Sequence, residues 1–295
     1  MKNEHPVRVA IIDLYNGIPN EGMRCIRQIL GDADGRFYDQ RLQVDEFDTR
    51  AKNEMPGLDY DIYLSTGGPG SPFDSEGSEW ERKYFNWLDR IWEKNDAPDT
   101  EIKCVMAICH SYQMVARHFK LAEVTERMSE SFGIHPVHIT DDGRNDPIFT
   151  GLEDPFYAAD FREWQVLQPR QDVLDSMGAR ILAIEKERPH VDLERAVMAI
   201  RLSKQMIALQ FHPEADPEGM AHHFSKPELK EKIIERHGEE KYLSLMQGLT
   251  DPEYLLPTYQ NMIPGFLKRS IAQLRPELPG MVSAATEIDP RHGER

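Results

Sequence analysis

Apolar and polar positions alternate between two periods along the first 120 residues. Residues 7–14, VRVAIIDL, are apolar at almost every position, and residues 60–66, YDIYLST, and 102–108, IKCVMAI, repeat that pattern. Short runs of this kind predict strands buried on both faces. Between them the period lengthens to that of a helix. In MRCIRQILG, Met23, Ile26 and Ile29 with Leu30 recur every three or four residues, which predicts a helix ending at Gly31. SEWERKYFNWLDRIWEKN carries Trp80, Tyr84, Trp87 or Leu88, and Ile91 at the same spacing, and SYQMVARHFK predicts a further long helix. YNGIPNEG reads as a loop, and GGPGSP has too many glycines and prolines for a regular element. Apolar strands alternating with helices predict a parallel sheet covered on both sides.

Beyond residue 130 the pattern shortens. GIHPVHIT, RILAIEKE, RAVMAIRL and QMIALQF predict short strands, as in a mixed sheet edge that returns to the core. After PEADPEG the β signal ends. PELKEKIIERHG, EEKYLSLMQGL and YQNMIPGFLKRSIAQL predict helices separated by Gly and Pro, and Pro252, Pro257 and Pro264 are expected to break the last stretch into pieces. Its stripe of Tyr254, Leu255, Leu256, Tyr259, Met262, Ile263 and Phe266 must be buried, and folding back beside the active-site edge is preferred over pairing with a second chain. The expected architecture is an α/β three-layer sandwich with a mostly parallel central sheet over 1–220. A helical C-terminal extension over 221–280 and a loose tail over 281–295 complete it.

Composition narrows the partners. Lys and Arg number 35 against 51 Asp and Glu, and the net charge of −16 repels nucleic-acid phosphates and anionic membranes. No apolar run approaches the ~20 residues that cross a bilayer, and MKNEHPVRVAIIDL lacks the pattern of a cleavable leader, so a cytoplasmic location is expected. Cys25, Cys104 and Cys109 lie in apolar surroundings, which suits free thiols in a reducing compartment.

Three stretches carry candidate chemistry. In CVMAICHSYQM the strand pattern stops at Cys109 and a helix pattern begins at once. A side chain on such a turn is lifted clear of the sheet, beside helix N–H groups that favour a thiolate and can hold an oxyanion. STGGPGSP, residues 65–72, follows a strand, and Gly67 and Gly68 allow amide N–H groups to face a common point. In LQFHPEAD, residues 209–216, an extended backbone puts His212 and Glu214 on one side, so that the carboxylate can orient an imidazole base. Each stretch alone is commonly a buried thiol, a Gly-Pro turn or a surface loop. Their order along the chain makes that joint reading improbable. Cys25 and Cys104 read as core, and His222 and His223, being adjacent, cannot both face one metal from a helix, so no metal site is expected. The loop YNGIPNEG, at the C-terminal end of the first strand, can line a pocket, but a plain turn is the preferred reading.

The set resembles the class I glutamine amidotransferases, with the closest look to the glutaminase portion of GMP synthases. The resemblance covers residues 7 to about 220: LSTGGPGSP, AICHSYQMVA and LQFHPEAD, joined by SFGIHPVHIT and DPIFTGLEDPF. It implies a flavodoxin-like sheet and a Cys109, His212, Glu214 triad acting on glutamine or a γ-glutamyl compound. It also implies an oxyanion site around Gly67, Gly68 and His110, Gln113 seating the substrate, no cofactor, and a separate ammonia-accepting synthetase subunit as partner. Three features depart from the pattern. Ala107 and Ser111 stand where glycine is usual, YAADFREWQVLQP replaces a His-rich stretch, and the chain after residue 220 is too short for a synthetase domain. Two alternatives follow, a stand-alone γ-glutamyl amide or peptide hydrolase and a catalytically impaired binding module.

Overall fold

The structure, a computed structural model, describes residues 5–98, 101–188 and 193–277; the tail expected over 281–295 lies outside the described residues. The strands are β1 (Val7–Asp13), β2 (Leu42–Asp48), β3 (Ile62–Ser65), β4 (Cys104–Ile108), β5 (Glu123–Ile139), β6 (Phe156–Leu167), β7 (Arg180–Glu185), β8 (Val197–Arg201) and β9 (Met206–Leu209). The helices are α1 (Glu21–Ala33), α2 (Thr49–Lys52), α3 (Glu79–Asp96), α4 (His110–His118), α5 (Gln171–Met177), α6 (Pro217–Phe224), α7 (Pro227–His237), α8 (Glu239–Thr250) and α9 (Leu255–Leu274).

All nine strands form one sheet in the order β2-β1-β3-β4-β9-β8-β7-β5-β6. Pairing is parallel from β2 to β9 and antiparallel from β9 to β6. The fold is therefore the expected α/β class, a parallel core extended by an antiparallel wing. β1 shows why its residues are apolar throughout. Val7, Val9 and Ile11 join the core under α1 and α9, while Ala10 and Ile12 join the opposite core under α3 and α4. A third apolar cluster, including Met220, Tyr242, Leu245 and Leu249, packs α6 and α8 over the wing.

Two helix limits differ from the sequence expectation. α1 passes through Gly31 and stops at Ala33, where the Asp34 N–H closes on the Leu30 and Gly31 carbonyls. Gly31 costs such a helix about 1 kcal/mol, and the buried Ala33 carries it past. α9 is a single helix despite Pro257 and Pro264. Pro257 lies in the first turn, where its missing N–H has no helical partner to lose, and Pro264 is flanked by buried Ile263 and Phe266. The stripe does fold back onto its own chain. It covers the sheet face beside α1, however, and not the mouth of the pocket described below.

Candidate active site

Cys109 occupies the one-residue turn between β4 and α4, with φ 51° and ψ −101°. A non-glycine residue there costs about 1–3 kcal/mol and persists only when its surroundings enforce it. They do so here: the Cys109 N–H donates to the Leu209 carbonyl at 2.7 Å, and the Cys109 carbonyl accepts from the Gln113 N–H at 3.1 Å. The two non-glycine positions of the elbow are accommodated differently. Ala107 is in register between Ser65 and Ala208, both small. Ser111 is buried and uses its hydroxyl, donating to the Thr66 carbonyl at 2.5 Å and lying 2.7 Å from Ser65 Oγ, which in turn meets Tyr84 Oη at 3.0 Å. The hydroxyl thus ties the elbow to the glycine loop.

That loop approaches the nucleophile as only glycine permits. A Cβ at Gly67 would lie 2.8 Å from His212 Cε1 and 3.5 Å from Cys109 Cβ, and one at Gly68 would collide with the Leu14 carbonyl oxygen. Thr66 anchors the turn, accepting from the Leu14 N–H at 3.0 Å. Among the described residues the N–H groups of Gly68 and His110 have no protein acceptor.

The base comes from the neighbouring strand. β9 pairs with β4, and the chain continues through Gln210 and Phe211 to His212, whose N–H donates to the Ala159 carbonyl of β6 at 2.9 Å. His212 Nδ1 lies 2.7 Å from Glu214 Oε1, and both side chains are largely buried. Burial alone would lower the pKa of His212. The Glu214 carboxylate and the Cys109 sulfur, which the ring also meets, outweigh burial and hold it well above the ordinary 6.5. The arrangement sets the imidazole between the Cys109 sulfur and the Glu214 carboxylate, both of which favour its protonated form.

These groups open into a cavity of about 350 Å³ lined by Cys109, Gly68, Pro69, His212 and Glu214. Its remaining wall is the segment after β1, for which a plain turn is the expectation from sequence. Tyr15, Ile18, Asn20, Glu21 and Gly22 line it, with Phe161 of β6 and Met220 of α6 opposite. The segment is not a plain turn: Asn20 caps α1 by accepting from the Met23 N–H at 2.8 Å, and Arg24 holds Glu21 at 2.5 Å and Asp216 at 3.0 Å. Only its place after β1 could have signalled this. Tyr15 reaches Gly67, and burial, with Glu214 and Cys109 next, pushes its phenol well above the ordinary value of 10.0.

The side chains of two expected residues, Gln113 and His110, are absent from the cavity lining, although the expectation for His110 concerned its backbone N–H. Gln113 is buried behind the elbow, donating to the Trp164 carbonyl at 3.3 Å and to Gln210 Oε1 at 3.2 Å. Gln210, which the sequence reading did not single out, then donates to Cys109 Sγ at 3.8 Å. His110 is buried beside Arg50 and Arg117, and burial first, then those cations, push it down to about 3. Of the stretch replacing a His-rich segment, only Phe161 faces the cavity. Asp160 and Arg162 bond to each other at 2.8 Å, and Arg162 reaches Glu185 at 3.1 Å. Cys25 lies at the cavity floor with its thiol pushed up to about 12 by burial, and Cys104 is pushed up to about 11.

Residues 33–231 match the model of the family described as "Glutamine amidotransferase class-I". Comparison with curated protein sequences gives no match. Among solved structures, a glutamine amidotransferase from Thermotoga maritima superposes with a TM-score of 0.64 at 18% identity, over 92% of this chain and 99% of that one. A glutamine amidotransferase from Methylobacillus flagellatus gives 0.56 at 13% identity, over 98% and 99%. The glutaminase domain of a Trypanosoma brucei CTPS, solved with acivicin, gives 0.52 at 16% identity, over 82% and 93%. At these identities the superpositions speak for the fold.

Proposed function

Because the chain belongs to the class-I glutamine amidotransferase family, we propose that it hydrolyses the side-chain amide of glutamine and passes the ammonia to an acceptor held by a separate protein. Cys109 Sγ attacks the amide carbon while its proton resides on His212. The carbonyl oxygen, now negative, accepts from the N–H groups of Gly68 and His110, with Gly67 leaving room for it. His212 gives its proton to the departing ammonia, and a γ-glutamyl thioester remains on Cys109. Water then attacks the thioester with His212 as base, releasing glutamate and restoring the thiol. Glu214 orients the ring and stabilises its charged form throughout. Gln113 acts through Gln210 on the sulfur, as a positioning residue. Glu21 and Asn20 are the polar groups on the cavity wall suited to the amino-acid end of the substrate.

The observation that carries this reading is the meeting of the strained elbow and the His212–Glu214 pair at the ends of adjacent strands, with two N–H donors that have no protein acceptor among the described residues. A second reading has one observation of its own. Ile18, Phe161, Ala215 and Met220 make much of the cavity wall apolar, which favours a stand-alone hydrolase of γ-glutamyl amides with an apolar amine portion. Mass spectrometry of the protein treated with a diazo-ketone analogue of glutamine separates the two. Modification of Cys109 alone, suppressed by glutamine, is expected. Modification that glutamine does not suppress, with turnover of a γ-glutamyl anilide, supports the second reading, and no modification of Cys109 overturns both.

A further inference from the structure

A second cavity, of about 340 Å³, opens in the antiparallel wing between the β5–β6 hairpin, the end of β7 and α8. Its local charge opposes that of the molecule. Lys186 Nζ lies 3.1 Å from His135 Nδ1, and Lys241 of α8 lines the same cavity. In a chain of net charge −16, neither lysine has a carboxylate at ion-pair distance among the described residues. The acids around the cavity are engaged already. Glu185 is shared by Arg127 at 2.9 Å, Arg162 at 3.1 Å and Arg188 at 3.2 Å, Asp160 holds Arg162, and Glu130 meets Arg236 at 2.8 Å.

Holding two ammonium groups near a half-buried imidazole with no carboxylate in direct contact is unfavourable, because burial strengthens their repulsion and the more distant Glu185 and Asp160 offset it only in part. The proton affinities respond in that sense. Burial and Lys241 lower the pKa of Lys186, and burial and Lys186 push His135 down to about 4. The guanidinium of Arg188 adds a buried Nε with no hydrogen-bond partner among the described residues. The wall is mixed: Ser129, Ser131 and Gln165 are polar, whereas Phe132 forms an apolar part of it and Leu193 and Met128, 48% and 88% exposed, are the other apolar residues of the lining. A bare inorganic ion would leave the apolar part of the wall, Phe132 and Leu193, unused.

We propose that this cavity binds an organic anion, its phosphate or carboxylate group between Lys186 and Lys241 and its apolar part against Phe132 and Leu193. The volume suits a small metabolite. The site is separate from the catalytic cavity yet adjoins it through two aromatic contacts, Phe132 to Phe161 at 5.1 Å between ring centroids and Phe161 to His212 at 6.4 Å.

Isothermal titration calorimetry of the full chain with phenyl phosphate, benzoate and inorganic phosphate tests this. One saturable site per chain is expected, with an aromatic anion binding more tightly than inorganic phosphate. Lys186→Met and Lys241→Met are each expected to weaken it by roughly tenfold or more, the loss of one charge-assisted contact, while Lys241→Arg retains it. Tighter binding of phenyl phosphate assigns a phosphate-bearing ligand, and tighter binding of benzoate a carboxylate. The proposal is overturned if neither aromatic probe saturates a site at on the order of 10 mM. It is also overturned if binding persists unchanged in the Lys186→Met/Lys241→Met double variant.

Discussion

At the scale of single residues, chemistry and strain coincide at Cys109, and its neighbour His110 shows the opposite use of burial. Both are held at the start of α4, but His110 turns into the protein, where an imidazolium would face Arg50 and Arg117 without solvent. In the unfolded chain its pKa returns to the ordinary 6.5. Between that value and about 3 the unfolded state binds a proton that the folded state refuses, so stability falls as pH falls through this window. At about pH 4.5 the loss from this group is about 2–3 kcal/mol relative to neutral pH. Urea denaturation of the parent and His110→Leu across pH should show a shallower acid slope in the variant, with a remainder from His135, whose shift has the same sign. Cys109, the glycines, His212 and Glu214 were legible because each sits at a break in the hydrophobic pattern. Tyr15 and Gln210 were not. Tyr15 lies in a loop with no period, and Gln210 is one polar residue inside a strand ending, so neither signals the cavity or the sulfur it approaches.

At the scale of elements, the parallel strands announced themselves because both of their faces are buried. β2 did not, since LQVDEFD is an edge strand with no fully buried residue, its three acids breaking the apolar pattern. β6 failed to do so for a different reason. Asp160 and Arg162 interrupt its apolar pattern, yet both are almost fully buried, 2% and 4% exposed, because they neutralise one another and Glu185. Charged letters that look like solvent exposure are here interior. Removing the cation alone leaves two buried carboxylates short of a partner. Arg162→Leu is therefore expected to destabilise the fold by about 3–5 kcal/mol, read from the denaturation midpoint at constant slope. A change below about 1 kcal/mol would place the pair among surface bridges and contradict the burial.

At the scale of the whole molecule, the last helix is structural in the strict sense. Met262, Ile263, Phe266, Leu267 and Ile271 share a core with β1, β3, β4 and β9. Phe266→Ala is expected to cost about 3–5 kcal/mol, and truncation after residue 222 to leave a chain that no longer unfolds cooperatively by calorimetry. A soluble, cooperatively folded truncation product would show the sheet self-sufficient without α9. The apolar stripe was legible in the sequence, and its destination was not, because a stripe states that it must be covered and not by which face. The position of β9 has a further consequence, in time and not in space. It is the last strand to be synthesised, yet it belongs between β4 and β8 near the middle of the sheet. Until some two hundred residues have left the ribosome, no strand joins the parallel and antiparallel halves within the sheet, and such long-range closure is slow. Cys109 emerges about a hundred residues ahead of His212. The nascent chain thus carries a thiol without its base, and reactivity begins only with the event that completes the fold.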